Sequence, residues 1–379
     1  MKGRVLALAA VVSSIASATA AEPVRSSVEP RSVESRSTIF TLDRVYKSMF
    51  GPIDYARVTL SSEAIDPKAG RPKRPEVVWI TGIRAEIVGE DDQAESPEYF
   101  CHSNLRLASS QPANRMRLFG RKKPNKLKMF TLVQGQTEIV FPPGFGMPVL
   151  SNDHFASQVM VMTPTQPEEP VHVGVRSRID FVHQSELSEP MMPLYVVSLI
   201  LKAAVYTPET QLLSEQHHGT DGSCIEEDDH IETVAPVDIS PTGRKSPTIF
   251  ADPEGGKRTT IWYVPPGRHV YRHKLQSLER RIPVATRAHY ISAHLHPYGE
   301  SLELIDLTTG ESVFKSMARN FPQRVALEDI SHYSGAEGIA IDPSHEYELI
   351  AVYDNSTEEN VDSMAAMYLY LHDTQLKLR

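Results

Sequence analysis

The sequence predicts an all-β protein of two tandem antiparallel β-sandwich domains, jelly-roll-like in type. Short β-like runs recur between Pro and Gly turn signals, and no stretch keeps a strong 3.6-residue apolar period. With 28 prolines in 379 residues, an all-helical fold is disfavoured, and the length suits two domains better than one.

The elements follow in order. Lys2 and Arg4 precede an apolar stretch over 5–15, and Ala18-Thr19-Ala20 supplies small residues at a cleavage position. This predicts a signal peptide over 1–20 and an exported protein, secreted or periplasmic. No cysteine stands at the cleavage point, so a lipid anchor is not indicated. The Ser- and Arg-rich stretch 21–38 reads as a flexible leader. The first sandwich is expected over 39–190, with strands at 77–80, 84–88, 128–133, 138–141, 155–162 and 171–182. In the last of these Val173, Val175, Ile179 and Phe181 alternate, as in a strand with one buried face.

Glu189-Pro190-Met191-Met192-Pro193 interrupts the strand pattern and marks the domain boundary. The second sandwich, 191–379, is expected to use strands at 194–205, 260–264, 288–296, 301–305, 346–353 and 364–371. A polar segment, 207–256, reads as a loop inserted into it. That loop carries His217-His218, Cys224 and the acidic run 226–229, a set able to chelate, although a solvated loop is the simpler reading.

Composition removes several classes of function. The net charge of −9 argues against nucleic acid or an anionic membrane surface as the main partner. Beyond the N-terminus no run approaches the ~18–20 apolar residues of a membrane-spanning helix. No Ser/His/Asp arrangement, phosphate-cradling loop or His-Glu-x-x-His stands out, and Gly-Ala-Glu-Gly at 335–338 reads as a turn. In an exported protein Cys101 and Cys224 are expected to form a disulfide; free thiols, one of them a metal ligand, are the alternative.

One pattern points to chemistry. On a strand His294 and His296 share a face, and Met364 offers a soft thioether from another strand. Two imidazoles with a thioether favour copper, above all Cu(I). By spacing alone these are two half-buried histidines and a core methionine.

The surrounding residues resemble the copper type II, ascorbate-dependent monooxygenases, the family of peptidylglycine α-hydroxylating monooxygenase. His294, His296 and Met364 fall on that family's second-domain copper ligands, and Asp362-Ser363-Met364 with Tyr368 matches its Asp-x-Met and downstream Tyr. Pro142-Pro143-Gly144-Phe145-Gly146, followed by 155–160, is similar to the approach to its first copper site. Val264-Pro265-Pro266-Gly267 is similar to its second-domain turn. The resemblance spans about 40–371. It implies two sandwiches facing each other across a solvent-filled cleft, each with a copper. It also implies O2 activation at the His/His/Met copper, with electrons from ascorbate or another external reductant.

The departures are informative. The family's adjacent histidine pair appears as Cys101-His102, and its third ligand position falls on Met160. Either this first site is lost, the favoured reading, or it has become a Cys/His/Met site suited to Cu(I). Ser292 stands where the family's carboxylate-binding arginine would be. Ala366 replaces an asparagine, and Tyr368 is kept. Peptidylglycine is therefore not the expected substrate. The expectation is an exported copper-binding protein that hydroxylates an unidentified small molecule. The alternatives are non-catalytic copper uptake, buffering or delivery, and an interaction module without metal. Among the other histidines, His154, His172 and His183 are weighed as replacement ligands. His269, His273 and His289 read as structural. Glu300 and Asp362 are candidates to orient the imidazoles.

Overall fold

Between the prolines and glycines the apolar runs do close into strands. The computed structural model describes residues 28–46, 51–59, 75–108, 112–120, 128–204, 236–238, 245–251 and 256–379. The first half contributes β1 (Arg31–Arg36), β2 (Phe40–Leu42), β3 (Ile53–Thr59), β4 (Val77–Val88) and β5 (Phe100–Leu107). After the helix α1 (Pro112–Phe119) come β6 (Lys128–Val133), β7 (Glu138–Val140), β8 (Phe145–Leu150), β9 (His154–Val161) and β10 (Val171–His183). The chain continues through β11 (Met192–Ile200), β12 (Ala203–Ala204), β13 (Pro236–Asp238), β14 (Lys245–Ala251), β15 (Lys257–Thr259) and β16 (Trp262–Val264). Next are β17 (Gly267–Lys274), β18 (Thr286–Leu295), β19 (Gly299–Asp306), β20 (Glu311–Asn320) and β21 (Leu327–Ile330). The last are β22 (Tyr333–Ile341), β23 (Tyr347–Asn355), β24 (Val361–Ser363) and β25 (Ala365–His372). The protein is all-β, with sandwich architecture.

The two sandwiches are not independent beads. A ten-stranded sheet runs β1-β10-β4-β8-β11-β25-β18-β22, through both halves of the chain. The halves join where β11 meets β8 in parallel, at Met192↔Phe145 and Pro193↔Gly146. The proline-marked segment expected as a boundary thus leads straight into a central strand. Pro193 is tolerated there because it lies at the strand's start, where little of the hydrogen-bond ladder is lost.

The sheet has a core on each face. One core lies against the four-stranded sheet β3-β9-β5-β6 and includes Leu194, Val196, Tyr290, Ala366, Tyr368 and Tyr370. The other lies against the five-stranded sheet β17-β23-β19-β20-β21 and takes Val197, Leu199, Ile291, Ala293, Met367 and Leu369. Strands β11, β18 and β25 are therefore buried on both sides. That explains their near-continuous apolar sequences, where a half-buried strand would alternate.

Three expectations need correction. The stretch read as a leader contains β1, an edge strand paired with β10 from Arg31↔Phe181 to Arg36↔Arg176. The stretch read as an inserted loop contains β13 and β14, which with β12 and β15 make a small four-stranded sheet. The helix α1 was not expected at all. Its sequence, PANRMRLF, starts with a helix-compatible Pro but lacks a clear apolar stripe. Its buried face consists of Phe119 and Arg115. The Arg115 guanidinium pairs with the Asp153 carboxylate, their side chains being 3% and 0% exposed. The signal sequence, Cys224, His217-His218 and the acidic run 226–229 lie outside the described residues, and so therefore does the expected Cys101–Cys224 pairing.

Candidate metal centre

Alternation along β18 puts Tyr290, Ser292 and His294 on the face turned to the first-half core, with Ile291, Ala293 and Leu295 on the other. The register sets His294 opposite Ala366 and Ser292 opposite Tyr368 on β25. The rings of His294 and His296 meet edge to face, their centroids 5.2 Å apart. Met364, one residue ahead of β25, packs in the same core as Ala366 and Tyr368. Both histidines and Met364 are buried.

The backbone around this group is tightly held. The Tyr353 hydroxyl, from β23, accepts the His296 N–H at 3.2 Å and donates to the Met364 carbonyl at 2.6 Å. One phenol thus ties the end of the histidine strand to the thioether-bearing residue. Beyond His296, Tyr298 adopts a left-handed φ of 70°. That turn is secured by Asn320, whose side chain accepts the Tyr298 N–H and donates to the Gly299 carbonyl. Tyr353→Phe would leave a buried N–H and a buried carbonyl without this bridge. We expect a loss of about 1–3 kcal/mol in chemical denaturation, together with weaker metal binding. A variant as stable as wild type would contradict the bridging role.

The two imidazoles are prepared differently. His296 Nδ1 lies 3.1 Å from Asp362 Oδ2, so a proton on Nδ1 turned to the carboxylate would leave the Nε2 lone pair available. His294 has both ring nitrogens buried with no hydrogen-bond partner among the described residues. Burial, followed by the nearby positive charges of His296, His102 and Lys128, holds its pKa well below the ordinary histidine range. At neutral pH it is the uncharged imidazole that ligates metals. Among the described residues no three His, Cys, Asp or Glu side chains converge on one point.

The first-half residues lie close by. On β5 the register slips from Phe100↔Val161 to His102↔Met160, so two residues stand against one. This bulge lets adjacent Cys101 and His102 project together, which a regular strand forbids. Their side chains touch, Sγ to Nδ1 at 3.2 Å. Cys101 packs with Met160 and Met162 in a small buried cluster of its own. Burial, then the charges of Lys128 and His296, lowers the His102 pKa to about 3.

No family model matches the chain, and no curated protein matches it. Solved structures that resemble it include the major capsid protein P2 of bacteriophage PM2, at a TM-score of 0.30 and 8% identity. That match covers 91% of this chain and 100% of the capsid protein. Peptide-N(4)-(N-acetyl-β-D-glucosaminyl) asparagine amidase is similar at a TM-score of 0.30 and 7% identity, covering 92% of this chain and 98% of its own. The STIV MCP reaches a TM-score of 0.24 at 10% identity, with 89% and 96% covered. Likenesses this distant carry no argument about function.

The expected cleft is not an open one. His102, His294 and His296 lie buried where the halves meet, 2%, 5% and 3% exposed. Ser292, Ala366 and Tyr368, expected to line a substrate pocket, are packed into the core beside them. Of the two candidate orienting groups Asp362 lies 3.1 Å from His296 Nδ1, whereas Glu300 binds Arg268 at 2.9 Å. None of the proposed replacement ligands reaches the first-half cluster. His154 lies six residues along β9 from Met160, roughly 20 Å away in a strand. His172 is close to Glu90, and His183 pairs with Glu76. Sequence reasoning missed Tyr353, Lys128 and Met162. Lys128 alone carried a signal, as a charge opening an otherwise apolar strand; its Nζ sits 5.1 Å above the Tyr368 ring.

Proposed function

We propose that this chain is an exported copper-binding protein that holds one ion, as Cu(I), with His294, His296 and Met364. The observation that carries the reading is His294, a buried imidazole with neither nitrogen hydrogen-bonded among the described residues. Such a group is costly to bury and needs a reason to be retained. A metal ion is a sufficient reason. The neutral ring, the Asp362-oriented partner ring and the nearby thioether fit a soft cation better than a hard one.

Bound copper would supply a one-electron couple and, as Cu(I), a centre reactive towards O2. The chain's own residues perform the holding. Asp362 fixes the His296 tautomer, Tyr353 ties His296 to Met364, and the two cores exclude water. Burial of Ser292, Ala366 and Tyr368 favours storage or delivery of the ion over hydroxylation of a substrate beside it. The hydroxylase reading, with O2 and ascorbate or another reductant, draws support from Ser292 Oγ. That buried hydroxyl has no hydrogen-bond partner among the described residues and lies on the histidine face.

Copper analysis of the purified protein, with ascorbate-dependent O2 uptake measured alongside, separates these readings. One retained equivalent without coupled O2 uptake supports storage or delivery, and coupled uptake supports the hydroxylase. Asp362→Asn is expected to weaken copper binding about 10–100-fold by removing the carboxylate behind His296. Copper binding that is absent, or indifferent to both Asp362→Asn and His294→Leu, would defeat the proposal.

A further inference from the structure

We propose that residues 335–338 form an acid-released clasp on the free edge of the ten-stranded sheet, with His289 as the group that takes up the proton. The register carries this. Strand β22 ends that sheet's order and, among the described residues, pairs on one side only, with β18. Ala288 stands opposite Ile339 but Tyr290 opposite Ser334, so His289 alone faces the four residues Gly335-Ala336-Glu337-Gly338. They leave the ladder as a wide bulge, and side chains of β18 pin it down. His289 Nδ1 lies 3.1 Å from the Gly335 carbonyl, a group that only accepts, so the bond requires the proton on that nitrogen. Arg287 donates from Nε to the Glu337 carbonyl and from a terminal nitrogen to the Gly338 carbonyl. Gly338 has a left-handed φ of 65° and runs tight against the imidazole: a Cβ there would stand 2.8 Å from His289 Cε1. None of these contacts involves His294, His296 or Met364, so the inference stands apart from the copper reading.

The surroundings of the ring disfavour a charge. His289 is buried, its ring 4.0 Å from that of Phe145 on β8 and 6.1 Å from that of His372 on β25. Arg287 on its own strand and His372 repel an imidazolium there; of the acids, Glu337 is exposed on the bulge and Asp373 acts on His372. Burial above all lowers the His289 pKa to about 4 against the pull of the Gly335 carbonyl, and His372 and Arg287 add to the lowering. A ring protonated in acid therefore gains by moving into water, and the bond to Gly335 goes with it. Only one ladder holds β22, so this strand lifts without breaking the rest of the sheet. The clasp is closed above the ordinary histidine value of 6.5 and opens as pH falls from there towards 4. With the released ring titrating normally, the open form gains about 20-fold between pH 7 and pH 5.

The test is amide hydrogen exchange on the whole chain at pH 7 and pH 5, read by mass spectrometry and corrected for the intrinsic pH dependence of exchange. Peptides covering β22 are expected to lose about 20-fold in protection at pH 5, whereas those from β25, paired on both sides, keep theirs. His289→Gln, which cannot titrate, should leave β22 protected at pH 5. Gly338→Ala, whose Cβ displaces the ring, should show at pH 7 the loss that wild type shows only in acid. Should His289→Gln fail to fold, a proton NMR titration of His289 in wild type decides: a midpoint near 4 supports the clasp, and one near 6.5 overturns it. Wild-type β22 protection that ignores pH, or an equal loss at pH 5 in His289→Gln, overturns it as well.

Discussion

Arg115→Leu is expected to destabilise the protein by about 3–5 kcal/mol in chemical denaturation, the range for removing one partner of a buried ion pair. The Asp153 side chain is 0% exposed. Its Oδ2 keeps a 2.9 Å bond from the Leu150 N–H after the change, but the guanidinium that balances its charge is gone. The opposite variant, Asp153→Ala, should be milder, because a long arginine on a short helix is able to swing towards water. Replacing both, Arg115→Leu with Asp153→Asn, should recover much of the loss, since it keeps the acceptor for Leu150 and removes the trapped charge. A loss below about 1 kcal/mol for Arg115→Leu would show that the pair adds little. The local packing of Phe119, Trp79 and Leu150 would then be what holds α1 in place.

His294→Leu should have effects of opposite sign. In metal-free protein it replaces a buried ring, whose nitrogens have no hydrogen-bond partner among the described residues, with an apolar side chain. Stability is expected to rise by about 1–3 kcal/mol. Copper retention at the pair should be abolished, so the order of stability reverses when both proteins are saturated with Cu(I), because only wild type gains binding free energy there. Denaturation with and without the metal reads both effects in one experiment. A metal-free variant less stable than wild type would show that His294 makes a packing contribution leucine cannot replace, and would remove the main argument for a ligand.

The sequence made some features legible and hid others, for physical reasons. Strands β11, β18 and β25 were expected because long apolar runs announce burial, and the pairing of His294 with His296 follows from strand periodicity alone. Their sharing between two cores was not visible, since an apolar run does not say whether one sandwich or two cover it. The junction of β11 with β8 rests on Met192↔Phe145 and Pro193↔Gly146, residues that carry no pairing signal. Strands β20 and β22 escaped notice because their exposed positions are frequent and polar, as in Glu311-Ser312-Val313. The bulge at Cys101 was equally silent. An extra residue in a strand leaves no mark in composition, and only the paired register reveals that Cys101 and His102 look the same way. Tyr353 belongs to the same class, for nothing in Ala351-Val352-Tyr353 foretells that its hydroxyl bridges two segments remote in sequence.

The sheet common to both halves has a practical consequence for anyone dissecting the molecule. A truncation after residue 190 would deprive the N-terminal fragment of Leu194, Val196, Tyr368 and Tyr370, and leave β8 with a bare margin where β11 belongs. Such an uncovered strand recruits whatever strand it meets, so the severed piece should form insoluble aggregates when produced alone. Supplied with 191–379 in trans, it should instead dock onto its missing counterpart, and the two fragments should co-purify as a reconstituted whole.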